Sequence, residues 1–106
     1  MFTVEDKKFL VNCIITIKDI YNIIREYKHS YEVDGNEYVQ LESVFKSFNN
    51  YFFNFDIEQF RDYLLDIMDF ILDNKLKEFP SEDKRYKVWN SIYDCIRELY
   101  FGENKQ

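Results

Sequence analysis

Apolar side chains recur along the chain at every third or fourth position, in four separate segments. These segments span about residues 4–28, 37–52, 57–76 and 82–101. Such spacing places the apolar side chains on one face of an α-helix, whereas strict alternation would indicate a β-strand. Four amphipathic helices with short connections predict a single all-α domain over residues 1–106, a four-helix bundle or a bundle-like antiparallel helical domain.

Helix-capping signals support these boundaries. Thr3 and Asp6 have the spacing of a capping box before the first helix. Asp56, just before the third helix, has the same spacing to Gln59. In a capping box, side chains bind the backbone N–H groups that the first helical turn leaves without a partner. Pro80 cannot continue a helix, and we expect the hydroxyl of Ser81 to cap the fourth one.

Turn signals occur in the connection between the first two helices and after the last helix. The polar stretch of residues 30–37 contains Asp34-Gly35, and the residues before it alternate like a strand. Either an ordered loop between helices or a small hairpin fits this stretch. Gly102 follows the last helix, where a left-handed residue often ends the helical hydrogen bonding.

The spacing also predicts which side chains form the core. We expect the third helix, the most apolar, to be central, with Phe60, Leu64, Ile67 and Ile71 nearly fully buried. The inward face of the first helix is expected to consist of Phe9, Leu10, Cys13, Ile14, Ile17, Ile20, Tyr21, Ile24 and Tyr27.

Charge and the missing motifs narrow the function. The net charge of −6 disfavours direct binding to nucleic acid, because phosphate contacts need clustered Lys and Arg. His29, the only histidine, lies at a helix end without a nucleophile or metal ligands near it in the sequence. No phosphate-binding loop or nucleophile motif is present. We therefore expect no enzymatic activity, no cofactor and no metal.

Location and origin follow from composition. Cys13 and Cys95 are far apart on apolar faces, which predicts two buried free thiols rather than a disulfide framework. No signal peptide precedes the first helix, and the longest uncharged apolar stretch is much shorter than the roughly 20 residues that span a bilayer. We expect a soluble, cytoplasmic protein without membrane contact. Alanine is absent and residues with AT-rich codons are abundant, which suggests a low-GC bacterium or a phage or virus of such a host.

An acidic row on the third helix is the most unusual feature. Its members, which follow the spacing i, i+4, i+8, i+11, i+15, are Glu58, Asp62, Asp66, Asp69 and Asp73. This spacing confines them to about 80° of the helix circumference. Like charges four residues apart destabilise a helix by roughly 0.2–0.5 kcal/mol per pair, and mixed charges would avoid that cost. A solvated stripe, a surface for a basic partner and a divalent-metal site all remain open.

Some apolar residues do not fit the inward faces of their helices. They are Val11, Ile15, Val39, Phe53 and Phe101. Val11 and Ile15 stand four residues apart and would stack on one helix face. Such residues could form an apolar contact patch for a partner or a homodimer, or simply pack within an irregular bundle.

No residue pattern of the chain matches a known family. By analogy of size, charge and fold class alone, it resembles the small acidic helical bundles found among bacterial immunity proteins, antitoxins and phage-encoded inhibitors of host defence. This resemblance, together with the acidic row, implies a non-enzymatic inhibitor that occludes a basic, nucleic-acid-handling protein partner. The alternative is a small structural or regulatory subunit that oligomerises through its exposed apolar residues.

Overall fold

Four helices make up the described part of the chain. The computed structural model describes residues 3–30, 35–54 and 56–102. The helices are α1 (Val4–Ser30), α2 (Gly35–Phe53), α3 (Ile57–Ile71) and α4 (Lys84–Tyr100). A π-helical turn (Leu72–Leu76) directly extends α3. Helix accounts for 87% of the described residues, and no strand occurs among them, so the predicted all-α four-helix bundle is confirmed.

Each helix packs mainly against two others, in the cyclic order α1, α2, α3, α4, and α4 closes the bundle against α1. The bundle measures 46 × 25 × 24 Å. This order places α1 and α3 at opposite corners, so α3 is not the central helix that the sequence predicts. Because successive helices run antiparallel, the start of α1, the α2–α3 connection and the end of α4 meet at one end, which we call the α2–α3 end.

Most of the predicted core of α3 is confirmed. Phe60, Leu64 and Ile71 are fully buried, whereas Ile67 is only half-buried. The prediction for Ile67 is wrong because its side chain lies at the margin of α3, where an open groove separates this helix from Ser43 and neighbouring residues of α2.

A hydroxyl joins α3 to α2 beside this core. The phenol of Tyr63 donates a hydrogen bond to the carbonyl oxygen of Val44 at 3.3 Å, and its ring stacks on Tyr51 with 4.2 Å between centroids. Burial raises the pKa of Tyr63 well above its usual value, although a hydrogen bond with Ser47 opposes this effect. The phenol is therefore neutral at pH 7 and acts there as a hydrogen-bond donor.

Most of the predicted inward face of α1 is confirmed, but two of its nine residues are exposed. Five of the nine are buried, namely Phe9, Cys13, Ile20, Ile24 and Tyr27. Ile14 and Tyr21 are 57% and 48% exposed, whereas Thr16 is fully buried. The buried face passes from Cys13 through Thr16 to Ile20, at steps of three and four residues. Because threonine is polar, hydrophobic spacing alone could not place it in the core. The Thr16 hydroxyl has no hydrogen-bond partner within the described part of the chain, and its burial therefore costs stability.

The helix starts follow the sequence signals in two cases of three. Thr3 and Asp6 form the reciprocal capping box, with hydrogen bonds of 3.0 and 3.1 Å, and the Asp56 carboxylate accepts from the third backbone N–H after it at 3.1 Å. Ser81 does not cap α4, because Asp83 does so from a position closer to the helix start.

Asp83 is held by Arg85, whose backbone N–H and guanidinium both donate to its carboxylate at distances of 2.8–3.0 Å. These hydrogen bonds lower the pKa of Asp83 to about 2. At the other end of α4, Gly102 has a φ of 71°, which glycine adopts without strain. The predicted loop or hairpin of residues 30–37 falls largely on residues 31–34, outside the described residues.

None of the described helices combines the length and the apolarity that crossing a bilayer requires. Cys13 is fully buried, as predicted, but Cys95 is only partly buried, and neither forms a disulfide.

Candidate functional site

The acidic row covers the outer face of α3 and its π turn. All five carboxylate residues, Glu58, Asp62, Asp66, Asp69 and Asp73, are exposed. Lys77 pairs with Asp73 at 3.1 Å, but both side chains are largely solvated, so this ion pair adds little stability. The other four carboxylates make no ion pair within the described part of the chain. The row extends about 22 Å along the helix axis at 1.5 Å per residue.

Two cations that lie near the row in sequence are turned away from it. The guanidinium of Arg61 lies 4.8 Å from the ring centroid of Phe9, on α1. Lys75 points into the bundle, where it is only 5% exposed. The row is thus less compensated by its own helix than the sequence suggests, and its negative charge faces solvent.

A metal site receives no support from this geometry. Neighbouring carboxylates of the row are separated by about a helical turn, and each points outward. Among the described residues, no three side chains of His, Cys, Asp or Glu come together as a metal site would require. The side chain of His29 lies outside the part of the chain that the structure describes.

Glu37, Lys75 and Trp89 form a buried polar network that was not predicted from the sequence. The Lys75 ammonium donates to both carboxylate oxygens of Glu37 at 3.1 Å, and the Trp89 indole N–H donates to one of them at 2.8 Å. The ammonium also lies 5.2 Å from the Trp89 ring centroid and 5.9 Å from that of Phe79. Glu37 is 7% exposed, so both charges are removed from water.

This network joins three elements near the end of the bundle opposite the α2–α3 end. Glu37 comes from the first turn of α2, Lys75 from the π turn and Trp89 from α4. Carboxylate, ammonium and indole satisfy one another, and a buried charge without such partners would be strongly unfavourable. The cluster leaves no carboxylate oxygen open to a substrate, which is typical of a structural link rather than a catalytic centre.

The apolar outliers divide into separate groups. Phe53 and Phe101 are 80% and 63% exposed and lie at the same α2–α3 end, where Val4 is also exposed. Val11 is 43% exposed on the side of α1, and Ile15 beside it is half-buried. Val39 is 65% exposed near the start of α2, toward the opposite end of the bundle. The structure therefore places two of the five residues at one end and does not unite all five in one patch.

Two open grooves run along α1. One, of about 240 Å³, separates α1 from α2 and includes Tyr21, Arg25 and Phe45; the other, of about 250 Å³, separates α1 from α4 and includes Lys84 and Lys87. The second groove also includes Ser91, whose hydroxyl donates to the backbone carbonyl of Lys87 at 3.0 Å rather than to a side chain that could act as a general base in covalent catalysis.

Comparison with protein-family models found no match, and comparisons with curated proteins and with solved structures found none either.

Proposed function

We propose that the protein is a non-enzymatic inhibitor that binds a basic protein, one that handles nucleic acid, through the acidic row on α3. The observation that carries this proposal is the exposure of five carboxylates on one helix while Arg61 and Lys75 point elsewhere. The row occupies a rigid helix face, so a partner would not have to order these carboxylates on binding.

The proposed mechanism is occlusion. Lys and Arg side chains that hold phosphate groups in the partner would instead pair with the row, and nucleic acid would lose access to them. Like-charge juxtaposition disfavours acidic partners, which provides selectivity. Because the carboxylates are solvated, the attraction is sensitive to salt: the Debye length is about 10 Å at 0.1 M and about 3 Å at 1 M.

The test uses capture of basic proteins on immobilised bait. Wild-type protein is compared with Asp66→Lys/Asp69→Lys, which reverses the middle of the row, and with Glu5→Lys/Asp94→Lys, which changes net charge equally on exposed positions of other helices. We expect wild type and the matched control to capture the same basic protein at 0.1 M salt and the row variant to lose it. The captured protein, once purified, should release a bound fluorescent oligonucleotide when wild type is added.

Two results would contradict the proposal. One is equal capture by the row variant and wild type, which would leave the row as a solvated stripe. The other is capture of a protein that still binds its oligonucleotide, which would remove occlusion as the mechanism. Circular dichroism should show the same helix content in all three proteins, because exposed substitutions usually change stability by less than about 0.5 kcal/mol.

A second candidate, an oligomerising structural or regulatory subunit, is favoured by the exposure of Phe53 and Phe101 at one end of the bundle. It requires self-association that persists at high salt and is lost on Phe53→Ser. Light scattering at 1 M salt separates this candidate from the inhibitor.

A further inference from the structure

The exposed face of α1 has the spacing of a coiled-coil seam. Steps of four and three residues alternate along it without interruption, and every position is exposed: Lys7, Val11, Ile14, Lys18, Tyr21, Arg25 and Lys28. The 4–3 spacing keeps the three apolar members, Val11, Ile14 and Tyr21, on the same side of the helix as the four cations, and helices pack against one another along faces with this spacing. We call this set of residues the basic seam.

The basic seam has the opposite charge to the acidic row. It contains four cations and no carboxylate, because the acidic residues of α1 fall outside the 4–3 positions. Its apolar members are substantially exposed: Val11 at 43%, Ile14 at 57% and Tyr21 at 48%. On α3, Leu65 and Phe70 border the row and are 40% and 36% exposed. Each face thus offers complementary charge together with apolar area.

The two faces cannot meet within one molecule, because α1 and α3 lie at opposite corners of the bundle. We propose that the occupant of the basic seam is a second copy of this chain, which presents its acidic row. The proposal rests on the proposed role of the row as a surface for cations and adds a specific partner for it.

Such a contact joins two different surfaces, so it is heterologous. Each pairing leaves one basic seam and one acidic row unoccupied, and further copies would add until a ring closes or a filament grows. The seam and a basic partner protein would also compete for the same row. The self-associated protein would then be inactive as an inhibitor until the basic partner displaces the seam from the row.

The test measures molar mass by light scattering and sedimentation at increasing protein concentration. At low salt, the mass of the wild type should rise with concentration, and at 0.5 M salt it should return to that of a monomer. Two variants each disable one face: Lys18→Glu/Arg25→Glu on the seam and Asp66→Lys/Asp69→Lys on the row. Each alone should weaken self-association at least about tenfold, because each reversal opposes like charges.

Mixing a seam variant with a row variant provides the decisive measurement. Lys18→Gln/Arg25→Gln keeps an intact row and Asp66→Asn/Asp69→Asn keeps an intact seam, so an equimolar mixture of these two neutral variants should form a one-to-one dimer that does not grow further. Neutral variants are used here because the acidic seam and the basic row created by charge reversal would attract each other and let the dimer grow. Measured alone, the same neutral variants replace the charge-reversed ones if either of those loses its helix content.

Three results would overturn the inference: a wild type that stays monomeric at all concentrations, self-association that neither salt nor either variant weakens, or a mixture that fails to form the dimer. Failure of the proposed function is distinguishable from these. The seam variant retains the row and should still capture the basic protein, so loss of self-association with intact capture rejects the second copy alone. Self-association without any captured basic protein rejects only the proposed function.

Discussion

Removing the charge of Lys75 should destabilise the bundle more than any exposed substitution. Lys75→Met retains much of the side chain's length but leaves the Glu37 carboxylate, which is 7% exposed, without a cation. Breaking a buried ion pair from one side costs about 3–5 kcal/mol, because the remaining charge stays desolvated. Glu37→Gln should cost a similar amount, since it preserves an acceptor for the Trp89 indole but strands the ammonium.

The double variant Glu37→Gln/Lys75→Met distinguishes an ion pair from two independent packing effects. It contains no buried charge at this site, and the amide carbonyl introduced at position 37 can still accept the indole N–H of Trp89. We expect it to cost about 1–3 kcal/mol, chiefly for the amide group that loses a partner. The cost of the double variant should therefore fall at least about 2 kcal/mol below the sum of the two single costs, as expected for groups in direct contact.

Urea unfolding at 25 °C, followed by far-ultraviolet circular dichroism, measures all four proteins. Dichroism is preferable to fluorescence, because the only tryptophan lies within the network under test. Domains of this size have about 5–15 kcal/mol of stability, so single variants should remain folded enough to analyse. A loss below about 1 kcal/mol for Lys75→Met, or additive single effects, would refute the pairing of these charges in the folded protein.

Two further predictions concern the core and pH. Leu64→Ala should cost about 2–5 kcal/mol in urea unfolding and Ile67→Ala clearly less, since only Leu64 is fully buried; the reverse order would contradict the orientation of α3. Hydrogen bonds with Arg85 lower the pKa of Asp83 from 3.8 to about 2, so their contribution to stability is present above about pH 4 and is lost as the pH falls toward 2. The melting-temperature difference between wild type and Asp83→Asn should therefore shrink over that interval, and a constant difference would exclude ionisation of Asp83 as its cause.

Hydrophobic spacing was sufficient to predict the class of the fold and the outer position of the acidic row. Row residues such as Asp66 are exposed because α3 turns its apolar side toward α2 and α4, which leaves the opposite arc to water. Capping signals were equally reliable where the side chain alone decides the geometry, as at Thr3 and Asp56.

Two of the failures share a physical origin in polar groups that the core accepts. Thr16 occupies an inward position that hydrophobicity alone does not mark, and its burial shifts Ile14 and Tyr21 toward solvent. Lys75 continues the inward spacing of Leu64 and Ile71, so its position carried a signal, but a charged residue enters a core only with a partner. That partner, Glu37, is 38 positions away in sequence, and local patterns cannot identify it.

The π turn has a consequence for how this helix tolerates changes in length. The backbone N–H of Lys77 reaches the carbonyl of Leu72 at 3.2 Å, five residues back rather than four, so the turn contains one residue more than an α-helical turn would. An extra residue resets the angular phase of every position that follows it. Evolutionary insertion or deletion of a residue between 72 and 76 would therefore leave most of the acidic row in place while rotating Lys75 relative to Glu37. Such a change would thus break the inner anchor while it preserves most of the outer face.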